Sequence, residues 1–306
     1  MLSPSLVGGV PLHKFDLPGG IVFAVAYGLL VPLLAYRLFD RRWRNILLVQ
    51  LVPVPIERVV VFSLRAAIAA GTIQESNSLR SYQQANFALG YLTLANLFGK
   101  YLRSVLVNTT KPSTDGDVDD PQRRNTFRRC TDGLNLPFFA ALITGLIATV
   151  HQYAPTDSAS NTRTQNSRYA SAAFGFLLVF LIWAILLWAQ RNVSRVDERA
   201  VRLLLIMTSL LAIPPIYRLA VMNSTTPNVA DLNSQSQNVL ADKVTFYVLH
   251  MLPEWIVLAM ACTFNLKEIC QTGPWGDWRP KDETAEEREK RERKQAKRAS
   301  VELEAV

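Results

Sequence analysis

The amino-acid sequence predicts an all-α, polytopic membrane protein, a seven-transmembrane-helix bundle with the N-terminus outside and the C-terminus cytosolic. Two observations predict this class. The apolar residues of the 306-residue chain gather into blocks of about 20, the length at which an α-helix crosses roughly 30 Å of hydrocarbon. Lys and Arg concentrate in alternate connections between these blocks. A soluble chain is therefore excluded, and the modest mean hydropathy of +0.12 averages apolar spans with polar connections.

The predicted transmembrane domain covers residues 20–266 and contains seven apolar segments. The fifth, around Ala170–Gln190, is almost a solid block of Ala, Phe, Leu and Trp, and the first is nearly as uniform. Ionisable residues interrupt the second, third and sixth segments. The segments lie at about 20–38, 46–70, 82–107, 133–152, 170–189, 201–222 and 244–266.

The distribution of positive charge sets the predicted orientation. Of the 33 Lys and Arg residues, 25 fall on one side of the membrane and five on the other. Because cytoplasmic flanks retain positive charge during insertion, the first side is cytosolic and residues 1–19 form a short extracellular N-terminus. The net charge of +8 thus reflects topology, and we expect membrane lipids, including anionic headgroups, rather than nucleic acid as partners.

Residues 267–306 are predicted to form a charged cytosolic tail. Pairs of opposite charge four residues apart, such as Glu286 with Lys290 and Glu289 with Arg293, favour a helix there. A solvated helix on its own and a helix that binds a cytosolic partner both fit this pattern.

Ionisable residues inside the spans indicate a candidate ligand-binding or switch site, because an unpaired charge at the bilayer centre costs about 2.5–3.5 kcal/mol. Glu57 and Glu254 fall near the middle of their helices, at the same depth from opposite sides. His250 precedes Glu254 by four residues and shares its helix face. We predict an interior polar cluster of Glu57, Arg58, His250 and Glu254, with Arg65 and Arg218 closer to an outward opening.

Prolines precede these residues in three spans: Pro53 and Pro55, Pro214 and Pro215, and Pro253. A proline removes a backbone donor and frees a carbonyl one turn earlier, which suits a ligand cavity or a moving helix. Two structural interpretations stay open beside this one. The charges could form an interhelical salt bridge, or the arginines near helix ends could reach water along the helix surface.

Several familiar chemical motifs are missing from the sequence. There is no phosphate-binding glycine loop, no His-Glu-x-x-His and no Gly-x-Ser-x-Gly. With three His and three scattered Cys, we expect no metal site, no cofactor and no extracellular disulfide. Two midplane carboxylates could serve as general acid and base, as is thought for membrane-embedded cyclases of fungal terpenoid pathways, so a membrane-embedded acid-base enzyme is a third interpretation.

Residues 201–266 contain the stretches Ile213-Pro-Pro-Ile-Tyr-Arg-Leu219 and Phe246-Tyr-Val-Leu-His-Met-Leu-Pro-Glu-Trp255. With these stretches the segment resembles the closing two helices of fungal seven-helix proteins. Two groups share this likeness: receptor-like membrane proteins and lipid-translocating exporters. Arg218 is followed by Leu219 where the exporter pattern has glutamate. The third segment ends in Phe98-Gly-Lys-Tyr-Leu-Arg103, without the Asp-Arg-Tyr of rhodopsin-like receptors.

The residues and the resemblance together predict a receptor-like sensor of a small or lipidic ligand bound in an interior polar cavity. The resemblance equally implies a lipid or amphiphile transporter, which is the alternative. The plasma membrane is the expected location.

Overall fold

The computed structural model describes residues 3–111, 120–151, 158–193, 195–226, 237–277 and 285–304. Over these residues the chain is almost entirely helical, as predicted. The exception is a pair of two-residue antiparallel strands, β1 (Ser3–Pro4) and β2 (Thr225–Thr226), which join the N-terminus to the end of a long helix.

Twelve α-helices and one π-helical segment form this described part of the chain. In order they are α1 His13–Phe39, α2 Ile46–Val49, α3 Pro53–Ala69, α4 Asn77–Asn108, α5 Pro121–Asp132, α6 Asn135–His151, α7 Ser158–Asn192, α8 Glu198–Val221, α9 Leu240–Thr245, the π-helix Phe246–Met251, α10 Leu252–Thr263, α11 Leu266–Ile269 and α12 Ala285–Glu304.

Six helical stretches of the described chain are long and apolar enough to cross a membrane, which makes this an integral multi-pass membrane protein. They comprise α1, α2 with α3, α5 with α6, most of α7, α8, and α9 through α10. Helix α4 covers the third predicted segment but is not among these six stretches. Its Gln, Asn, Lys and Arg side chains lower its hydropathy, so its crossing does not follow from composition alone.

Helix α4 lies in the middle of the other helices. It contacts α3, α5, α6, α7, α8 and α10. Aromatic and aliphatic residues along it, from Phe87 to Val107, are buried. By contrast α1 leaves Val22, Val25 and Leu29 exposed, the apolar outer face expected of a helix in contact with lipid. Because its neighbours shield α4 from lipid, it tolerates polar residues that an outer helix could not.

The N-terminal segment, residues 5–10, is buried between the ends of the helices. Gly8 and Gly9 have positive φ angles of 76° and 61°, and a Cβ at Gly8 would lie 2.9 Å from the ring of Phe246. The side-chain amide of Gln84 accepts from Val7 N at 3.1 Å and donates to Val7 O at 3.0 Å. This part of the predicted short extracellular N-terminus is therefore packed into one end of the bundle.

At the opposite end of the bundle, the start of the tail is docked rather than solvated. Arg128 of α5 forms a bidentate pair with Asp277 at 2.7 and 2.8 Å and a second pair with Glu287 of α12 at 2.8 Å. Arg103 of α4 also contacts Asp277 at 3.2 Å. Residues 278–284 and 305–306 of the predicted tail lie outside the described residues.

The π-helical segment has a local cause. Pro253 has no backbone N–H, so the carbonyl of Leu249 loses its α-helical partner. The N–H of Leu252 donates to the carbonyl of Tyr247, five residues earlier. Widened turns of this kind occur often at functional sites.

Candidate functional site

The first charged layer lies where the N-terminal segment meets the helices. Asp16 of α1 is fully buried, and its carboxylate accepts three hydrogen bonds and makes two further ion-pair contacts. Its Oδ1 accepts from Arg65 Nε and Tyr247 Oη, both at 2.9 Å, and lies 2.8 Å from Arg65 Nη2. Its Oδ2 accepts from Leu12 N at 2.8 Å and lies 2.8 Å from Lys243 Nζ. One carboxylate thus pairs with two buried cations.

The first charged layer, here called the outer layer, has one more cation than carboxylate, and both cations also contact the N-terminal segment. Besides Asp16, Lys243 Nζ donates to the carbonyls of Gly8 at 2.7 Å and Val10 at 2.6 Å. Arg65 Nη2 donates to the carbonyl of Gly8 and, at 3.4 Å, to that of Gly9. Backbone dipoles therefore take the place of a second carboxylate, and the two cations hold the segment in the bundle.

The second charged layer is a single ion pair between α3 and α10. Arg58 Nε and Nη2 donate to Glu254 Oε1 at 2.6 Å and Oε2 at 2.7 Å. The two side chains are 2% and 0% exposed. Tyr27 Oη of α1 lies 3.5 Å from Glu254 Oε1. This bidentate geometry is the strongest that an arginine and a carboxylate can form.

Aromatic rings separate the two layers. Arg58 and Arg65 are seven residues apart on α3, which corresponds to about 10 Å along the axis. The ring of Phe87 lies between them, 6.0 Å from Arg58 Cζ and 5.8 Å from Arg65 Cζ. Arg65 Cζ also lies 5.2 Å from the ring of Phe246. Each guanidinium is thus stabilised by a carboxylate and by ring faces.

Gly90 of α4 leaves room for the second charged layer, the Arg58–Glu254 ion pair, here called the inner layer. A Cβ at this position would overlap Arg58 Nη2 and lie 2.7 Å from Glu254 Oε1. We expect Gly90→Ala to destabilise the protein by about 1–3 kcal/mol, the usual range for overpacking, as a lowered thermal unfolding midpoint in detergent.

Gly99, on the same helix, is the matched control for Gly90. A Cβ there would only reach Leu134 Cδ1 at 3.5 Å and Ile182 Cδ1 at 3.9 Å. Gly99→Ala should be neutral or stabilising, by up to about 1 kcal/mol, because alanine has the higher helix propensity. Equal losses at both positions would contradict the space argument.

The third group of polar residues surrounds His250 on the π-helix. Its ring stacks on Tyr217 at 5.8 Å and meets the edges of Phe87, Tyr91 and Phe246. Neither ring nitrogen has a hydrogen-bond partner of good geometry within the described residues. Arg218, three residues before the end of α8, is also buried, and its Nε and Nη1 are unpartnered in the same sense. Several buried polar atoms without a hydrogen-bond partner among the described residues therefore gather in this region.

The structure unites the predicted site residues only in part. Arg58 and Glu254 form one pair, with His250 and Arg218 beside them, while Arg65 belongs to the separate Asp16 layer. The prediction that Glu57 faces the interior is wrong, because its side chain is exposed. Successive helical residues turn by about 100°, so Glu57 and Arg58 cannot both face inward. The acid-base enzyme interpretation required Glu57 beside Glu254, but Glu57 is exposed and Glu254 is buried.

Sequence reasoning missed Asp16, Lys243, Tyr27 and Gly90. Asp16 and Lys243 lie in the first turn of α1 and α9, outside the predicted spans, where they read as ordinary flanking charges. The sequence feature that could have identified Asp16 is its position, four residues before the uniformly apolar run that begins at Gly20. Within the described residues, no group of three or more His, Cys, Asp or Glu side chains could hold a metal ion.

The fold and its buried charges define a class: a helical, multi-pass integral membrane protein with ion pairs inside its spans. Comparison with family models, with curated proteins and with solved structures found no match to this chain.

Proposed function

We propose that this protein is a receptor-like sensor of a small or lipidic ligand, built as a seven-helix bundle with its N-terminus outside. The observation that supports this best is the pair of charged layers inside the spans, next to the unsatisfied group around His250. Charged side chains are expensive in a bilayer and usually mark a functional site. Their placement beside a π-helix and three helix prolines adds an element that can rearrange.

In this proposal α4 is the seventh span. Its 32 residues extend about 48 Å, more than the hydrocarbon thickness. Its polar residue Gln84 contacts the N-terminal segment, and its Gly90 faces the inner ion pair, so neither position faces lipid. With seven spans, the N-terminus lies outside and the charged C-terminal tail lies on the opposite, Arg-rich side of the membrane.

The cysteines provide a test of this topology. Cys130 is exposed, whereas Cys262 and Cys270 are buried, and burial raises the pKa of the Cys270 thiol to about 12. Because the thiolate is the reactive form, a membrane-impermeant maleimide should label Cys130 alone, and only in permeabilised cells. Labelling of intact cells would contradict the orientation.

Two variants control the labelling experiment. Cys130→Ser should abolish the signal. Adding Ser78→Cys to this variant, at an exposed position in the first turn of α4, should give labelling even in intact cells, because that turn lies on the outer side in this topology.

The sensing mechanism follows from which elements the charges connect. The outer layer joins the N-terminal segment to α1, α3 and α9, and the inner layer joins α3 to α10. A ligand that contacts the group around His250 lies against the π-helix, which directly precedes Glu254 in the chain. A shift of that turn moves Glu254 relative to Arg58 and so changes the angle between α3 and α10. The plasma membrane, the expected location, is where such a signal would enter the cell.

A lipid transporter is the second candidate, favoured by one observation. A groove of about 240 Å³ between α7 and α8 is lined by Phe176, Phe180, Trp183 and Thr208 among others. Reconstitution into liposomes with a fluorescent phospholipid distinguishes the two functions. We expect no faster transbilayer movement than in protein-free liposomes; faster movement that Trp183→Ala, in the lining of the groove, reduces would favour the transporter.

A further inference from the structure

The charges buried in α1, α3, α8 and the stretch from α9 through α10 do not balance. Among the described residues of these elements, four buried cations, Arg58, Arg65, Arg218 and Lys243, face two buried carboxylates, Asp16 and Glu254. Glu254 is matched by Arg58, and the outer layer offsets its extra charge with backbone carbonyls. The imbalance that is left lies at Arg218.

Arg218 has no compensating partner in the described chain. It is 4% exposed, and Nε and Nη1 of its guanidinium make no hydrogen bond there. The ionisable groups that influence it are the phenols of Tyr91 and Tyr217 and the guanidinium of Arg58, which repels it. No acidic side chain of the described residues is among these groups.

The groups next to Arg218 are also short of acceptors. The hydroxyl of Tyr91 is buried without a hydrogen-bond partner in the described structure. The ring of Tyr91 lies 6.4 Å from that of His250, whose ring nitrogens make no hydrogen bond of good geometry within the described residues, although the backbone of Phe87 lies close to them. A guanidinium, a phenol and a neutral imidazole can all donate hydrogen bonds. What this group lacks is an acceptor with negative charge.

We propose that Arg218, Tyr91 and His250 form a binding site for an oxyanion, the carboxylate or phosphate of the ligand. This inference rests on the proposed function, because it names the charge of the ligand that the sensor binds. The planar guanidinium is suited to two parallel hydrogen bonds with such a group. The rings of Phe87, Phe246 and Tyr217 around His250 offer apolar contact to the remainder of the molecule.

The test is thermal unfolding of the full chain in a neutral detergent with matched additives. Decanoate and decyl phosphate carry the anionic group, decanol lacks it, and acetate and inorganic phosphate lack the apolar chain. We expect at least one of the two anionic amphiphiles to raise the unfolding midpoint in a concentration-dependent way, and decanol to leave it unchanged. The anionic amphiphile that raises the unfolding midpoint more indicates whether the ligand carries a carboxylate or a phosphate. A rise in the midpoint with acetate or inorganic phosphate indicates that the ligand is a small anion.

The variants locate the binding site. Arg218→Gln should weaken the apparent affinity about tenfold or more, equivalent to about 1.4 kcal/mol. Arg199→Gln, which neutralises an exposed arginine of the same helix, should not change it. If Arg218→Gln does not fold, Tyr91→Phe removes only the unpartnered hydroxyl and should weaken binding several-fold.

The possible contrary results separate this inference from the proposed function. Equal anion affinity in wild type and Arg218→Gln would overturn the site. Stabilisation by decanol alone, lost in Glu254→Gln, would also overturn the site while leaving a ligand-binding sensor in place. No stabilisation of the wild type by any of the anions would overturn the inference. The liposome experiment tests the proposed sensor function separately, because it measures transbilayer lipid movement and not anion binding.

Discussion

Replacing Asp16 with Asn is expected to cause the largest loss of stability of any single substitution in this protein. The change leaves Arg65 and Lys243 buried beside each other without a carboxylate. Breaking a buried ion pair by removing one partner costs about 3–5 kcal/mol, and here two cations lose the same partner. Thermal unfolding of the purified protein in detergent measures the effect.

Two further variants test the charge argument for this layer. Lys243→Met leaves Asp16 and Arg65 as a balanced pair, so its cost should be smaller than that of Asp16→Asn. Glu198→Gln neutralises a carboxylate in an exposed pair with Arg202 and should change stability by less than about 1 kcal/mol. A Lys243→Met variant less stable than Asp16→Asn would show that packing, not charge, dominates the layer.

Neutralising Glu254 is expected to have the second largest effect. Glu254→Gln leaves the Arg58 guanidinium buried, with the uncharged amide oxygen as its only acceptor on that side chain, at a cost of about 3 kcal/mol or more. In the double variant Arg58→Met/Glu254→Met both charges are gone, and most of the lost stability should return. Because the ion pair is part of the proposed switch, the double variant should be stable yet unable to respond to ligand.

Glu57 provides the control for Glu254. It neighbours Arg58 in the chain but is exposed, so Glu57→Gln should change the unfolding midpoint little. If Glu57→Gln and Glu254→Gln were equally destabilising, both carboxylates would share the interior, as the sequence interpretation assumed. If the double variant were as unstable as the sum of the two single variants, the pair would not be coupled.

Charges within apolar segments were predictable because they are rare. Arg58 and Glu254 could be identified as an interior set from hydropathy alone, and they form an ion pair. Which of Glu57 and Arg58 faces inward could not be predicted, because both flank the same apolar positions of α3. Only the bidentate geometry with α10 and the space at Gly90 decide it.

The outer layer was harder to predict because it depends on where helices begin. Helix α1 starts at His13 and α9 at Leu240, earlier than the apolar segments suggest, which brings Asp16 and Lys243 inside. The fold of residues 5–10 depends on contacts with Gln84 and Lys243, far away in the chain. Local sequence patterns carry no information on such long-range contacts.

The ion pairs also impose an order on biosynthesis. Asp16 enters the membrane early and gains Arg65 after 49 further residues, but the second cation that holds the N-terminal segment, Lys243, follows Val10 by 233 residues. At translation rates of about 5–20 residues per second, the segment waits roughly 12–47 s for that partner. Arg58 waits similarly for Glu254, 196 residues later. The nascent bundle must therefore hold an unsealed, unevenly charged interior until its last span arrives, a period in which a membrane chaperone could bind it.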